Sequence, residues 1–64
     1  MKIIANSENV RVYHDFYQGY AVFTRQTYPG GNTAFWQQAS KWYQYKKYAM
    51  DIYTKRVDTE TGEI

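Results

Sequence analysis

The chain has 64 residues, a formal net charge of +2 and no cysteine. A chain of this length forms one domain and removes only about 60% of its unfolded surface from water when it folds. No disulfide can stabilise the fold, and a single histidine without thiolates argues against a structural zinc site. We therefore expect no cofactor and no metal, and burial supplied by the 13 aromatic residues or by a second copy of the chain.

The charge is distributed unevenly along the sequence. All eight basic residues precede Asp58, whereas three of the six acidic residues lie in the last seven positions, so that residues 1–57 carry +5. This asymmetry predicts one basic domain over residues 1–57 and a flexible acidic tail over residues 58–64. The apolar run near the N-terminus spans residues 3–5, too short for a signal peptide or a membrane span, so we expect a cytoplasmic protein.

The first half of the chain predicts three antiparallel strands. Residues 2–5 are mostly β-branched and precede the polar turn 6–9, residues 10–17 alternate between two faces, and residues 20–28 are rich in β-formers. On the second strand the predicted inner positions are Val10, Val12, His14 and Phe16, and on the third strand Phe23 is predicted to lie in the core. A two-residue turn at Gln18-Gly19 would place the remaining positions on an outer face, which includes Lys2, Arg11, Tyr13, Tyr17, Tyr20 and Val22. A loop longer by one residue would exchange the faces of the third strand.

Residues 33–57 predict one long helix after the break at residues 29–32. On a helical wheel the apolar and aromatic side chains of this segment cover roughly 200°, about twice the ~100° stripe of one core contact. Trp42 falls at the centre of the expected buried face. The predicted fold class is thus α+β, a three-stranded antiparallel β-meander followed by one long C-terminal helix packed on one sheet face (βββα).

The surplus apolar arc predicts a homodimer or a higher oligomer. Its expected contacts lie on one flank of the helix or the other: Trp36, Tyr43 and Met50, or Tyr45 and Ile52.

The sequence gives no catalytic constellation, and we expect the protein not to be an enzyme. The sequence contains no thiol and no pair of carboxylates expected to converge. His14 lies between Val12 and Phe16 on the predicted inner face, which is typical of a structural histidine. Residues 29–33 could hold an anion before a helix N-terminus, but their glycines fit a tight turn better.

The favoured function is therefore a small non-catalytic protein that docks an aromatic-rich surface on another protein. The residues expected to contact the partner are Arg11, Tyr13, Tyr17, Tyr20, Trp36 and Tyr43. In its general composition, short, cysteine-free and rich in tyrosine, the chain is similar to bacteriophage accessory proteins that inhibit bacterial machinery. That resemblance implies a bacterial protein complex as the partner to be inhibited or modulated.

The alternative function is nucleic-acid binding through basic and aromatic side chains. The residues expected to contact nucleic acid in that case are Lys2, Arg11, Lys41, Lys47 and Lys55. They divide between the predicted outer sheet face and the polar helix face, which point in opposite directions, and so favour the protein partner.

Overall fold

The computed structural model describes residues 1–60, with the backbone alone for residues 59 and 60. Its elements are β1 (Lys2–Asn6), β2 (Val10–Asp15), β3 (Gly19–Thr27), β4 (Ala34–Gln38) and α1 (Lys46–Glu60). The strands form one antiparallel sheet in the order β1-β2-β3-β4, and α1 lies over β2 and β3. The predicted α+β class, an antiparallel meander followed by one C-terminal helix on the sheet, is confirmed.

The predicted number of strands and the predicted start of the helix are wrong. The segment Ala34–Gln38 is a fourth strand, paired antiparallel with β3 from Thr27↔Ala34 to Phe23↔Gln38, and the helix begins at Lys46. The loop 29–32 therefore closes a hairpin instead of capping a helix, with Gly30 at a φ of 70° and the Tyr28 N–H donating to the Thr33 carbonyl oxygen at 3.2 Å. Pairing with β3 satisfies the backbone of a segment whose side chains also suited a helix.

The predicted apolar arc of roughly 200° is wrong, because the helical wheel over residues 33–57 included β4 and the segment that follows it, neither of which is helical. In α1 itself the side chains that pack toward the sheet form one stripe: Ala49, Met50, Ile52, Tyr53 and Val57. The arc consequently gives no support to an oligomer formed through the flanks of the helix.

The β2–β3 hairpin turns earlier than predicted, and its pairing register differs from the predicted one by three residues. Its loop is residues 16–18, and Asp15 pairs with Gly19, His14 with Tyr20 and Val12 with Val22. The Asp15 carboxylate starts the turn by accepting the N–H groups of Tyr17 at 2.8 Å and Gln18 at 3.1 Å. Because the register differs from the predicted one by an odd number of residues, the faces of β3 are exchanged.

The exchange decides the composition of the core. The buried cluster between sheet and helix is Val10, Val12, Val22 and Ala49. Val22 and Tyr20 face α1 instead of lying outside, and Lys2, the partner of His14 in the ladder, lies on that side too. Phe23 faces away from the helix, and Phe16 is 86% exposed in the loop, so the prediction that both lie in the core is wrong.

Residues 39–43 continue along β3 before α1 begins at Lys46. The Ala39 N–H donates to the Val22 carbonyl oxygen at 2.7 Å, and Tyr20 and Tyr43 exchange two backbone hydrogen bonds of 2.7 Å. Between these points the Ser40 hydroxyl accepts the Val22 N–H at 2.9 Å. This extension places Tyr43 on the helix side of the sheet and Trp42, its neighbour, on the other side.

At the C-terminal end α1 continues to Glu60, three residues beyond the predicted end of the helix. The remainder of the predicted acidic tail, residues 61–64, lies outside the described residues. Within residues 1–60 no helix combines the length and the apolar character needed to cross a membrane.

The turn at Asp15 predicts an acid-sensitive contribution to stability. Hydrogen bonds from the backbone N–H groups of Tyr17 and Gln18 lower the pKa of the Asp15 carboxyl below its ordinary value of 3.8. Because the pKa of this carboxyl is lower in the folded chain than in the unfolded chain, its ionised form stabilises the fold at any pH above the unfolded-state pKa. That stabilisation is lost as the pH falls through the folded-state pKa. We expect the thermal unfolding midpoint of Asp15→Asn to fall less than that of wild type when the pH is lowered below 3.8. Midpoints that fall equally in the two proteins would contradict this prediction.

Candidate functional site: the open face of the sheet

The sheet has one face that α1 does not cover. The open face, as we call it, consists of Arg11, Tyr13, Phe23, Trp36 and Trp42. Strand alternation places the first four opposite to Val12 and Val22, and Trp42 joins them by contacting Phe23. The smallest dimension of the described chain is 16 Å, which accommodates one sheet and one helix layer.

Arg11 is held in position on this face by three neighbours. Its guanidinium carbon lies 3.9 Å from the centre of the Trp36 ring. Its Nε donates to the Asn6 side-chain oxygen at 2.9 Å, and its Nη1 donates to the Tyr13 hydroxyl at 3.1 Å. An arginine has five N–H donors, so those not engaged here can meet a carboxylate or another acceptor of a partner without further ordering of the side chain.

The other rings of the open face pack against one another by their edges. Tyr13 and Phe23 have centroids 4.8 Å apart at 81°, and Phe23 and Trp42 have centroids 6.1 Å apart at 66°. This arrangement leaves each ring partly exposed and fixes its orientation. Together the rings form a preorganised apolar surface beside the Arg11 guanidinium.

Three of the six residues predicted to contact a partner lie together on the open face: Arg11, Tyr13 and Trp36. Trp36 reaches this face from β4 and not from the predicted helix flank. Tyr17 lies at the tip of the β2–β3 loop, 90% exposed and in edge contact with Phe16. That tip and Trp42 line a shallow cavity of about 520 Å³ at the end of the sheet.

The predicted outer position of Tyr20 is wrong, as is the predicted helical position of Tyr43. Tyr20 stacks on His14 with ring centroids 4.4 Å apart on the helix side of the sheet. Tyr43 faces the same side, with its ring 5.9 Å from that of Tyr48. The exchanged register and the β3-paired course of residues 39–43 account for both corrections.

Two residues of the open face, Phe23 and Trp42, were not among the predicted contact residues. Both were assigned to the core, Phe23 because of the two-residue turn and Trp42 because of the long helix. The Asp15 turn signal could have found Phe23, since an aspartate commonly opens a turn with its side chain. For Trp42 the signal is the loop 29–32, which stands between two β-rich runs as a hairpin loop does.

The residues predicted to contact nucleic acid are spread over different parts of the molecule. Arg11 alone of the five belongs to the open face. Lys2 lies on the helix side of the sheet edge, and Lys41 lies 5.4 Å from the Tyr43 ring on that same side. Lys47 and Lys55 are exposed on α1, where Lys55 forms an ion pair of 3.3 Å with Asp51.

The described residues bring no His, Cys, Asp and Glu side chains together in a group of three that could hold a metal ion. The candidate anion site at residues 29–33 is ruled out as a helix N-terminus, because those residues precede β4.

These features define a small α+β domain with an open, aromatic and arginine-bearing sheet face. No protein-family model, curated protein or solved structure matches the chain.

Proposed function

We propose that this chain is a non-catalytic cytoplasmic protein that binds another protein through the open face of its sheet. In keeping with the resemblance to bacteriophage accessory proteins, its partner would belong to a bacterial complex that it inhibits or modulates. The observation that carries the proposal is the Arg11 guanidinium held 3.9 Å from the centre of the Trp36 ring, beside the edge-packed rings of Tyr13, Phe23 and Trp42.

The composition of the open face supports a protein partner. Tryptophan, tyrosine and arginine are the residues that most often dominate the binding free energy at protein interfaces. Their side chains are already ordered by mutual contacts, so that binding costs less conformational entropy than it would for free rotamers. Arg25, the partner of Trp36 in the ladder, is exposed on the same side of the sheet beside the open face, and two arginines favour an acidic partner surface.

Two features weaken the nucleic-acid alternative. The lysines of α1 lie on the opposite side of the molecule from the open face, so the basic side chains do not form one track along which phosphates could lie. The rings of the open face contact one another edge to face, whereas binding of single strands relies on flat ring surfaces on which bases stack.

The decisive test is a comparison of Arg11→Lys and Arg11→Ala in affinity capture from bacterial lysate, followed by binding measurements on the captured protein. Lysine keeps the charge but cannot form the planar stack on Trp36. We expect both variants to weaken binding by about 30-fold, or about 2 kcal/mol, with modest dependence on salt. Trp36→Ala should have a similar effect.

Tyr45→Ala is the matched control, because Tyr45 is 58% exposed and its ring contacts Tyr48 of α1 and none of the rings of the open face. It should bind as wild type does, and circular dichroism should show that every variant is folded. Full binding by Arg11→Lys, loss of the partner on nuclease treatment, or affinity that falls steeply with salt would contradict the proposal and support nucleic-acid binding.

A further inference from the structure

The two edges of the sheet are β1 and β4, and they differ in character. Among the elements of residues 1–60, β4 contacts β3 alone, which leaves its far edge open. β1 carries Lys2 and an irregularity between Ile3 and Ala5, both of which discourage the addition of another strand. β4 is regular throughout its register with β3, and residues 26–40 include no charged side chain and no proline within the strand.

The hydrogen-bond pattern shows which backbone groups of β4 point outward. The Thr33 carbonyl accepts the N–H of Tyr28, the residue that follows β3, and the Ala39 N–H donates to the Val22 carbonyl of β3. Because an antiparallel strand alternates between inward and outward backbone groups, the residues between them with outward N–H and C=O groups are Ala34, Trp36 and Gln38. The Trp36 side chain does not cover this edge, since it leans across β3 to stack on Arg11.

We propose that β4 pairs antiparallel with β4 of a second copy of this chain, about a two-fold axis at Trp36. In that register Trp36 faces its symmetry mate and Ala34 faces Gln38 of the other copy, so all three outward residues of each strand are paired. About six backbone hydrogen bonds form, more than in a register centred on Phe35 or Gln37, which pairs two outward residues per strand.

The neutrality of β4 is the reason for assigning a second copy as the occupant. Pairing two copies brings two identical strands together, so a charged β4 would add like charges along the shared edge, whereas the uncharged β4 adds none. The pairing also joins two four-stranded sheets into one and turns both open faces to the same side. This inference goes beyond the proposed function, because it concerns the sheet edge and requires no partner protein.

The first test is the oligomeric state of purified protein by sedimentation at about 1 to 100 micromolar. We expect wild type to be a dimer at the upper end and Ala34→Pro to weaken dimerisation at least tenfold, because proline removes one outward N–H at the first position of an edge strand. Ala34→Ser retains that N–H and should dimerise as wild type does. If Ala34→Pro does not fold, Gln38→Lys provides the same test by adding a charge to the edge.

The second test fixes the register by disulfide formation, for which the cysteine-free chain is well suited. An equimolar mixture of the Ala34→Cys and Gln38→Cys variants should cross-link on oxidation, because facing residues in such a pair have Cα atoms about 5.5 Å apart. Each variant alone should not, since four residues along a strand separate its two thiols by about 13 Å.

Monomeric wild type at about 100 micromolar would overturn the proposal. So would a dimer that survives both Ala34→Pro and Gln38→Lys, or equal cross-linking in the single-variant samples; these outcomes would assign self-association to another surface or another register. Neither test depends on the Arg11 experiment, so each proposal can fail by itself.

Discussion

Replacing Gly19 by alanine is expected to unfold the domain. Gly19 has a φ of 107°, which side-chain-bearing residues rarely adopt, and a Cβ atom there would overlap the backbone carbonyl of Tyr43. The Gly19 backbone and the Tyr43 carbonyl cannot move apart without breaking contacts, because Tyr43 and Tyr20, the residue after Gly19, are joined by two backbone hydrogen bonds. The cost should exceed about 3 kcal/mol, against a total stability of about 3 to 10 kcal/mol for a chain of this size.

The measurement is urea denaturation followed by circular dichroism, with the other loop glycines as controls. Gly31→Ala should be tolerated, because its Cβ would have its nearest neighbour at 3.7 Å. Gly30→Ala should cost about 1 to 2 kcal/mol from its φ of 70° alone, since its Cβ would meet no atom within 4 Å. If Gly19→Ala is no more destabilising than Gly30→Ala, the close approach of Tyr43 to the β2–β3 hairpin is wrong.

Introducing a carboxylate at Val22 should have an effect of similar size. Val22 is fully buried in the cluster with Val12 and Ala49, and this cluster contains no basic side chain that could pair with a new carboxylate. We expect Val22→Asp to cost about 3 to 5 kcal/mol and to abolish cooperative thermal unfolding near neutral pH.

Two variants make this prediction specific to the observed register. Gln26→Asp places the same side chain at an exposed position of the same strand and should leave the unfolding midpoint nearly unchanged. Trp42→Ala should retain cooperative unfolding at a cost of about 1 to 2 kcal/mol, because Trp42 is a partly exposed residue of the open face and not the buried centre of a helix. A folded Val22→Asp variant together with an unfolded Trp42→Ala variant would favour the two-residue turn and the long helix.

The β2–β3 hairpin shows how a local error spreads through a small sheet. Val10 and Val12 lie inside as predicted, because alternation along one strand is a local property. Phe23 and Val22 lie on the faces opposite to those predicted, because the turn does not lie at Gln18-Gly19. Part of the candidate site could therefore be predicted, since Arg11 and Tyr13 follow from β2 alone, whereas Phe23 required the register.

Local periodicity and turn chemistry are enough to predict the α+β class, the first three strands, the break at residues 29–32 and a helix at the C-terminal end of the described chain. The state of residues 34–45 depends instead on tertiary contacts. Their aromatic and small side chains suit either a helix or a strand, and the choice depends on hydrogen bonds to β3, a partner that local propensity does not include. That pairing brings Trp36 and Trp42 onto the same face as Arg11, and so creates the open face.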